Sequence, residues 1–83
     1  MMQYVELENV PEEANHLLNL LWDRDRKMSL EELAEGLVSE YSMSLAQEEV
    51  KDQMELLVDM DYAEHKDEGE DIYYVALGWQ EEY

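Results

Sequence analysis

The chain has 83 residues, 46% of them apolar, and carries 23 acidic against 5 basic side chains for a formal net charge of -18. That length allows one domain with a single modest core, and the apolar share is that of a folded globule rather than an acidic disordered tail. The lack of cysteine excludes disulfides and thiolate metal sites, and the shortage of Lys and Arg excludes binding to nucleic acid or an anionic membrane through phosphate contacts. Residues 1–28 hold six acids and three bases, whereas 29–83 hold seventeen and two, so the excess belongs to the body of the fold. There is no apolar run long enough to span a bilayer and no basic-then-apolar leader, so a soluble, cytoplasmic protein is expected.

Gln3 to Glu8 alternates apolar Val5 and Leu7 with polar neighbours, the pattern of a short edge strand or an extended arm on the core. Pro11 marks the first turn of a helix, with Glu12 and Glu13 placed to favour its dipole. Ala14, Leu17, Leu18 and Leu21 form the buried stripe of that helix, widened by Leu20 and Trp22. The helix is expected to stop within Asp23-Arg24-Asp25-Arg26-Lys27, whose three bases compensate the C-terminal dipole.

Ser29-Leu30-Glu31-Glu32 reads as the capping box of a second helix, with Met28 and Leu33 as its hydrophobic staple. Leu30, Leu33, Ala34, Leu37, Val38 and Tyr41 then follow the helical period, and Glu31, Glu32, Glu35 and Glu40 take the free side. Gly36 costs roughly 1 kcal/mol relative to Ala in an exposed helix interior, and nothing in the sequence explains it beyond the room it could leave for a neighbour. Ser42-Met43 is a short joint, which forces a steep crossing into a third helix over Ser44 to Tyr62. Ser44 and Gln47 suggest its cap, Ala46, Val50, Met54, Leu57 and Val58 its buried face, and Glu48, Asp52, Glu55 and Asp59, opposed only by Lys51, its outward face.

Tyr62 to Lys66 and Ile72 to Leu77 are rich in β-formers and predict a hairpin with the acidic tip Asp67-Glu68-Gly69-Glu70-Asp71. Ile72 to Leu77 is apolar on both faces, so its second face needs a cover: the N-terminal strand, Trp79, a second copy in a homodimer through the hairpin, or a partner protein. Gly78, Trp79 and the tail to Tyr83 are expected to return to the core with Trp79 as anchor.

From about Val10 to Leu77 the order helix, helix, short joint, helix, hairpin resembles the winged helix-turn-helix superfamily. The resemblance implies a mainly α fold of three helices with a two-stranded wing, here with room for a short N-terminal strand. It also implies a third helix that enters the DNA major groove and a wing that touches phosphates. In this chain the outward third-helix positions and the segment Lys66 to Asp71 each sum to about -3, so the surface that would meet DNA repels it. Leu33-Ala34 in an apolar helix, Tyr41, and a third helix bearing Val50 also resemble the PqqD-like winged helices, which implies a peptide-recognition adaptor. Those proteins place a three-stranded sheet before the first helix, where this chain has only about ten residues.

Nothing in the sequence points to catalysis or a cofactor: it has no Gly-rich phosphate loop, no nucleophile beside a base and no His pair at metal spacing. His16 and His65 read as solvated surface residues, and neither Asp23 with Asp25 nor the tip matches the spacing of a calcium loop. The acids are the remaining lead, because residues three and four apart on a helix are neighbours and a row of like charge costs a few tenths of a kcal/mol per pair. Three explanations compete: acidification of a winged-helix regulator for a salty cytoplasm, a protein- or peptide-binding adaptor, and imitation of DNA. Very small, acidic, cysteine-free proteins resemble the inhibitors that phages direct against CRISPR effectors or restriction enzymes. The reading adopted is the last: a non-enzymatic DNA mimic that occupies the basic site of a nucleic-acid-binding protein. Its partner-binding residues would be Glu48, Asp52, Glu55 and Asp59, with Glu31, Glu32 and Glu35 and the wing residues Asp67, Glu68, Glu70 and Asp71.

Overall fold

The computed structural model describes residues 6–77, and its first helix, α1 (Glu12–Arg24), is buried on most of its circumference. Ala14, Leu17, Leu18, Leu20 and Leu21 are all within 1% of complete burial, which is the expected stripe and more. Two polar residues missed by the sequence reading are buried with them. Asn15 Oδ1 accepts the Leu7 backbone N–H at 2.7 Å, and Asn19 Nδ2 donates to the Asn15 carbonyl at 2.9 Å, so both buried amides are bonded and the preceding arm is tied to the helix. Pro11 sits one position outside the helix, at its N-cap. Of the two forms expected for this stretch, Glu6–Glu8 do not make the strand, and Leu7 packs on the core as an arm would. Residues 3–5 of that stretch, and Gly78, Trp79 and the tail to Tyr83, lie outside the described residues.

α1 ends where expected, with Asp25 in the left-handed region (φ 56°) and its N–H donating to the Leu21 carbonyl. A two-residue strand, β1 (Met28–Ser29), follows and runs straight into α2 (Leu30–Tyr41). Ser29 is thus both strand and N-cap. Its Oγ accepts the Glu32 N–H at 3.2 Å while Glu32 Oε1 accepts the Ser29 N–H at 2.9 Å, the capping box read from the sequence. The buried face of α2 centres on Leu33, Gly36 and Leu37. A Cβ on Gly36 would stand 3.0 Å from Leu20 Cδ1, so α1 and α2 meet closely here and any larger residue requires the Leu20 side chain to give way. That centring rotates Val38 outward, where it is 53% exposed rather than part of the stripe.

The joint to the third helix is longer than the two residues expected. Ser42 closes α2 in the left-handed region (φ 54°), and Met43 and Leu45 alternate inward against the core with exposed Ser42, Ser44 and Ala46. This extended link delays α3 (Gln47–Asp59) by three residues, so Ser44 and Gln47 are not its cap. Glu49 instead reaches back to the Ala46 N–H at 3.1 Å. Val50, Met54 and Leu57 are buried as expected. The helix stops at Asp59 rather than Tyr62, because Asp61 turns the chain with φ 67°.

β2 (Ala63–Glu68) and β3 (Asp71–Ala76) pair antiparallel, and β1 adds to the other side of β3 through Met28↔Tyr74 and Ser29↔Tyr73, giving the order β1-β3-β2. The strands extend further into the acidic tip than expected: Asp67 and Glu68 pair with Ile72 and Asp71, leaving a turn of Gly69 and Glu70 with the positive φ on Gly69 alone, the pattern of a II′ hairpin. Ile72, Tyr74 and Ala76 face the helices, with Tyr74 completely buried. On the opposite face Lys27 stands over the Tyr73 ring, 4.9 Å from its centroid, so part of the cover sought for that face is a lysine of the same chain. Among the described residues no helix is long and apolar enough to cross a membrane.

Tyr74 ties the sheet to α3. Its hydroxyl donates to Glu55 Oε2 at 2.6 Å, and its ring stacks on His65, whose Nδ1 lies 3.4 Å from the same Glu55 oxygen and whose Nε2 lies 2.9 Å from Asp67 Oδ1. His65 shares the face of its register partner Tyr74; it is exposed, as expected of a surface residue, and also stands between two carboxylates. Burial, then the bond to Glu55 and its charge, push the Tyr74 hydroxyl well above the ordinary tyrosine value of 10.0.

Two outcomes follow from this packing. Gly36→Leu places a side chain against Leu20 and is expected to destabilise the domain by about 1–3 kcal/mol, whereas Gly36→Ala forgoes the gain of roughly 1 kcal/mol that helix propensity alone would give; urea denaturation measures both. For Tyr74, the unfolded chain releases the proton near pH 10 while the folded chain keeps it, so the stabilisation is complete below pH 10.0 and is lost as pH rises beyond it. Tyr74→Phe is expected to cost about 1–2 kcal/mol at neutral pH and to remove that part of the alkaline loss, read from denaturation midpoints across the alkaline range.

Candidate protein-interaction face

The exposed side of α3 follows from its buried one. With Val50, Met54 and Leu57 inward, Glu48, Glu49, Lys51, Asp52 and Asp59 are left exposed. Glu55 is not part of that free side: it turns toward the sheet to hold Tyr74 and His65. The outward row expected on α3 is therefore Glu48, Asp52 and Asp59, with Glu55 committed to the wing.

The α2 acids separate in the same way. Glu31 is exposed at the start of the helix. Glu32 is occupied by the cap and by Arg26 Nη1 at 3.3 Å. The bond from the Ser29 N–H holds its carboxyl below the ordinary 4.5; burial opposes it, and the charge and bond of Arg26 add to the lowering. Glu35 lines a depression of about 310 Å³ that it shares with Arg24 and Arg26, on a different part of the surface from the wing tip. On the wing, Glu68 pairs with Lys27 and Asp67 with His65, whereas Glu70 and Asp71 are exposed with no ion pair among the described residues. Glu31, Glu70 and Asp71 come together around one groove between the starts of α2 and α3 and the wing tip.

The bases are taken up internally. Arg24 contacts Asp23 and Glu40, Arg26 contacts Glu32, Lys27 contacts Glu68, and Lys66 lies 3.7 Å from Glu64. Only Lys51, on α3, has no carboxylate within ion-pair distance among the described residues. The cluster Arg24 to Lys27 thus does more than compensate a helix dipole, since only Arg24 lies in the last turn of α1 and the other two reach α2 and the wing. His16, expected to be solvated, is half-buried and stacked on Tyr41 with ring centroids 4.2 Å apart, beside Glu12. Among the described residues no group of three or more His, Asp or Glu side chains is placed to hold a metal ion. Spacing in the sequence accommodates the local pairs such as His16 with Glu12, but the sequence contained no signal for Lys27 with Glu68, 41 residues apart.

No protein-family model matches the chain, and no curated protein shows significant similarity to it. A solved structure of HOP2, described as giving insights into its DNA recognition and protein interaction domains, superposes with a TM-score of 0.68 at 20% sequence identity, over 77% of this chain and 97% of that one. Three helices, a short strand between the first and second, and a hairpin completing a three-stranded antiparallel sheet are, with this likeness, a winged-helix fold.

Proposed function

We propose that this winged helix is a non-enzymatic, protein-binding module that lays α3 and the wing tip on the cationic, nucleic-acid-binding surface of another protein, as a mimic of DNA. The observation that carries the reading is the division of charge: four of the five bases are bonded to acids of the same chain, while Glu48, Asp52 and Asp59 stand exposed along one rigid helix. A winged helix that grips DNA needs its cations free and on α3 and the wing. This one offers Lys51 against that row, and its field attracts what DNA attracts. The HOP2 structure concerns both DNA recognition and protein interaction, and of those two the charge here supports the second. A nuclease or CRISPR effector with a basic nucleic-acid cleft is the partner class that fits such a face.

Reversal of the free row by Glu48→Lys, Asp52→Lys and Asp59→Lys leaves the core and the Glu55–Tyr74 bond untouched. The expected outcome is that a partner retained on the immobilised wild-type domain is displaced by duplex DNA and by rising salt, and is not retained by the triple variant. Retardation of duplex DNA by the wild-type domain at moderate salt, or full retention by the triple variant, sinks the proposal. Unfolding of the isolated domain at low ionic strength would assign the acidity to salt adaptation instead.

A further inference from the structure

The groove at the wing tip holds about 380 Å³ and combines two chemistries. Leu30, Ile72 and Tyr73 supply half-buried apolar walls, and Glu31, Glu70 and Asp71 supply an exposed rim. No cation of the described chain pairs with those three carboxylates, in contrast to Glu32 and Glu68, which Arg26 and Lys27 neutralise. The groove also continues the line of β1. Pairing between β1 and β3 ends at Ser29↔Tyr73, where the chain turns into α2, so Ile72 and Asp71 are paired with β2 only and their other side opens into the groove. A cation already stands against one wall: the Lys27 ammonium lies over the Tyr73 ring.

We infer that this groove takes an extended peptide segment in which basic and apolar side chains alternate, lying along β3 where β1 leaves off. This deepens the proposed function by naming the part of the partner that is gripped, and it rests on that reading. Side chains of both kinds are needed because the groove joins apolar walls from Leu30, Ile72 and Tyr73 to a carboxylate rim, and an extended segment, whose successive side chains point to opposite faces, reaches both. Nucleic acid is excluded by the sign of the rim. A second copy of the chain is disfavoured, since each copy carries a formal charge of -18.

The test is amide NMR of the whole chain at about 0.15 M salt, where exposed charges more than ~8 Å apart are largely screened. The probes are two synthetic ten-residue peptides of equal charge, one alternating Arg with Leu and the other Arg with Ser. The Arg-Leu peptide is expected to give saturable shifts at Glu31 and Glu70 to Tyr73 and to bind about tenfold more tightly than the Arg-Ser peptide, a difference of ~1.4 kcal/mol. Glu31→Gln, Glu70→Gln and Asp71→Gln together should weaken it about tenfold, and the α3 triple reversal should leave it nearly unchanged. Equal affinity of the two peptides, or shifts spread over every exposed carboxylate, overturns the inference. Shifts at these amides that grow with protein concentration alone would give the groove to a second copy and overturn it too. Groove binding that survives while partner retention ignores duplex DNA would discard the mimic reading alone, and the reverse pattern would discard the groove alone.

Discussion

Two residues of β1 join the wing directly to the start of α2. Met28 is buried in the core and pairs with Tyr74, and Ser29 pairs with Tyr73 while its side chain begins α2. A hairpin left to itself is marginally stable in water, and the third strand converts it into a sheet with a helical layer behind it. Ser29 makes the two events one, since the geometry that caps α2 is the extended backbone (φ -79°, ψ 168°) that also pairs with β3. Tyr74 then locks the other side of the sheet to α3 through Glu55.

That junction also explains where the few bases go. Arg24 ends α1, and Arg26 and Lys27 follow in the link to β1, from which short reaches lead to α2 and to the outer face of the wing. Each exposed pair contributes at most about 1 kcal/mol. Lys27, however, covers Tyr73 with its stem and charge at once, which replaces exposed ring surface with a cation–π contact. The consequence for the surface is larger than for stability. A chain with 5 bases that assigns four to internal partners has almost no positive charge left to present.

Much of this was legible in the sequence where periodicity or a local cap specifies the outcome. The three helices and the Ser29–Glu32 capping box rest on residues three or four apart, the hairpin on runs of β-formers around a glycine-bearing acidic tip, and all formed. What was not legible depends on contacts between distant residues. β1 is too short to carry a pattern, and it exists because β3 offers an edge to it. Asn15 and Asn19 are polar letters inside an apolar helix, and their burial follows from bonds to Leu7 and to each other. The start of α3 was displaced because Met43 and Leu45 have their own places in the core, which overrode the good capping letters Ser44 and Gln47. For the candidate face, position along α3 correctly exposed Glu48, Asp52 and Asp59 but could not reveal that Glu55 has a partner across the sheet.

The partner of Glu55 bears on how the acidity should be understood. Like charges at adjacent helical turns repel by a few tenths of a kcal/mol, so Glu55 between Asp52 and Asp59 would add two unfavourable pairs if left bare. Its bond to the Tyr74 hydroxyl and the nearby His65 give that carboxylate a structural reason to be present. Glu32 and Glu68 have comparable reasons in Arg26 and Lys27. Glu31 and Glu48 stand in the first turns of α2 and α3, where they favour the helix dipoles, but Asp52, Asp59, Glu70 and Asp71 have no such reason and are exposed without an ion pair among the described residues. Exposed carboxylates that repel one another without an ion pair inside the chain are relieved by any outside cation, which is the electrostatic ground for the cationic partner proposed above.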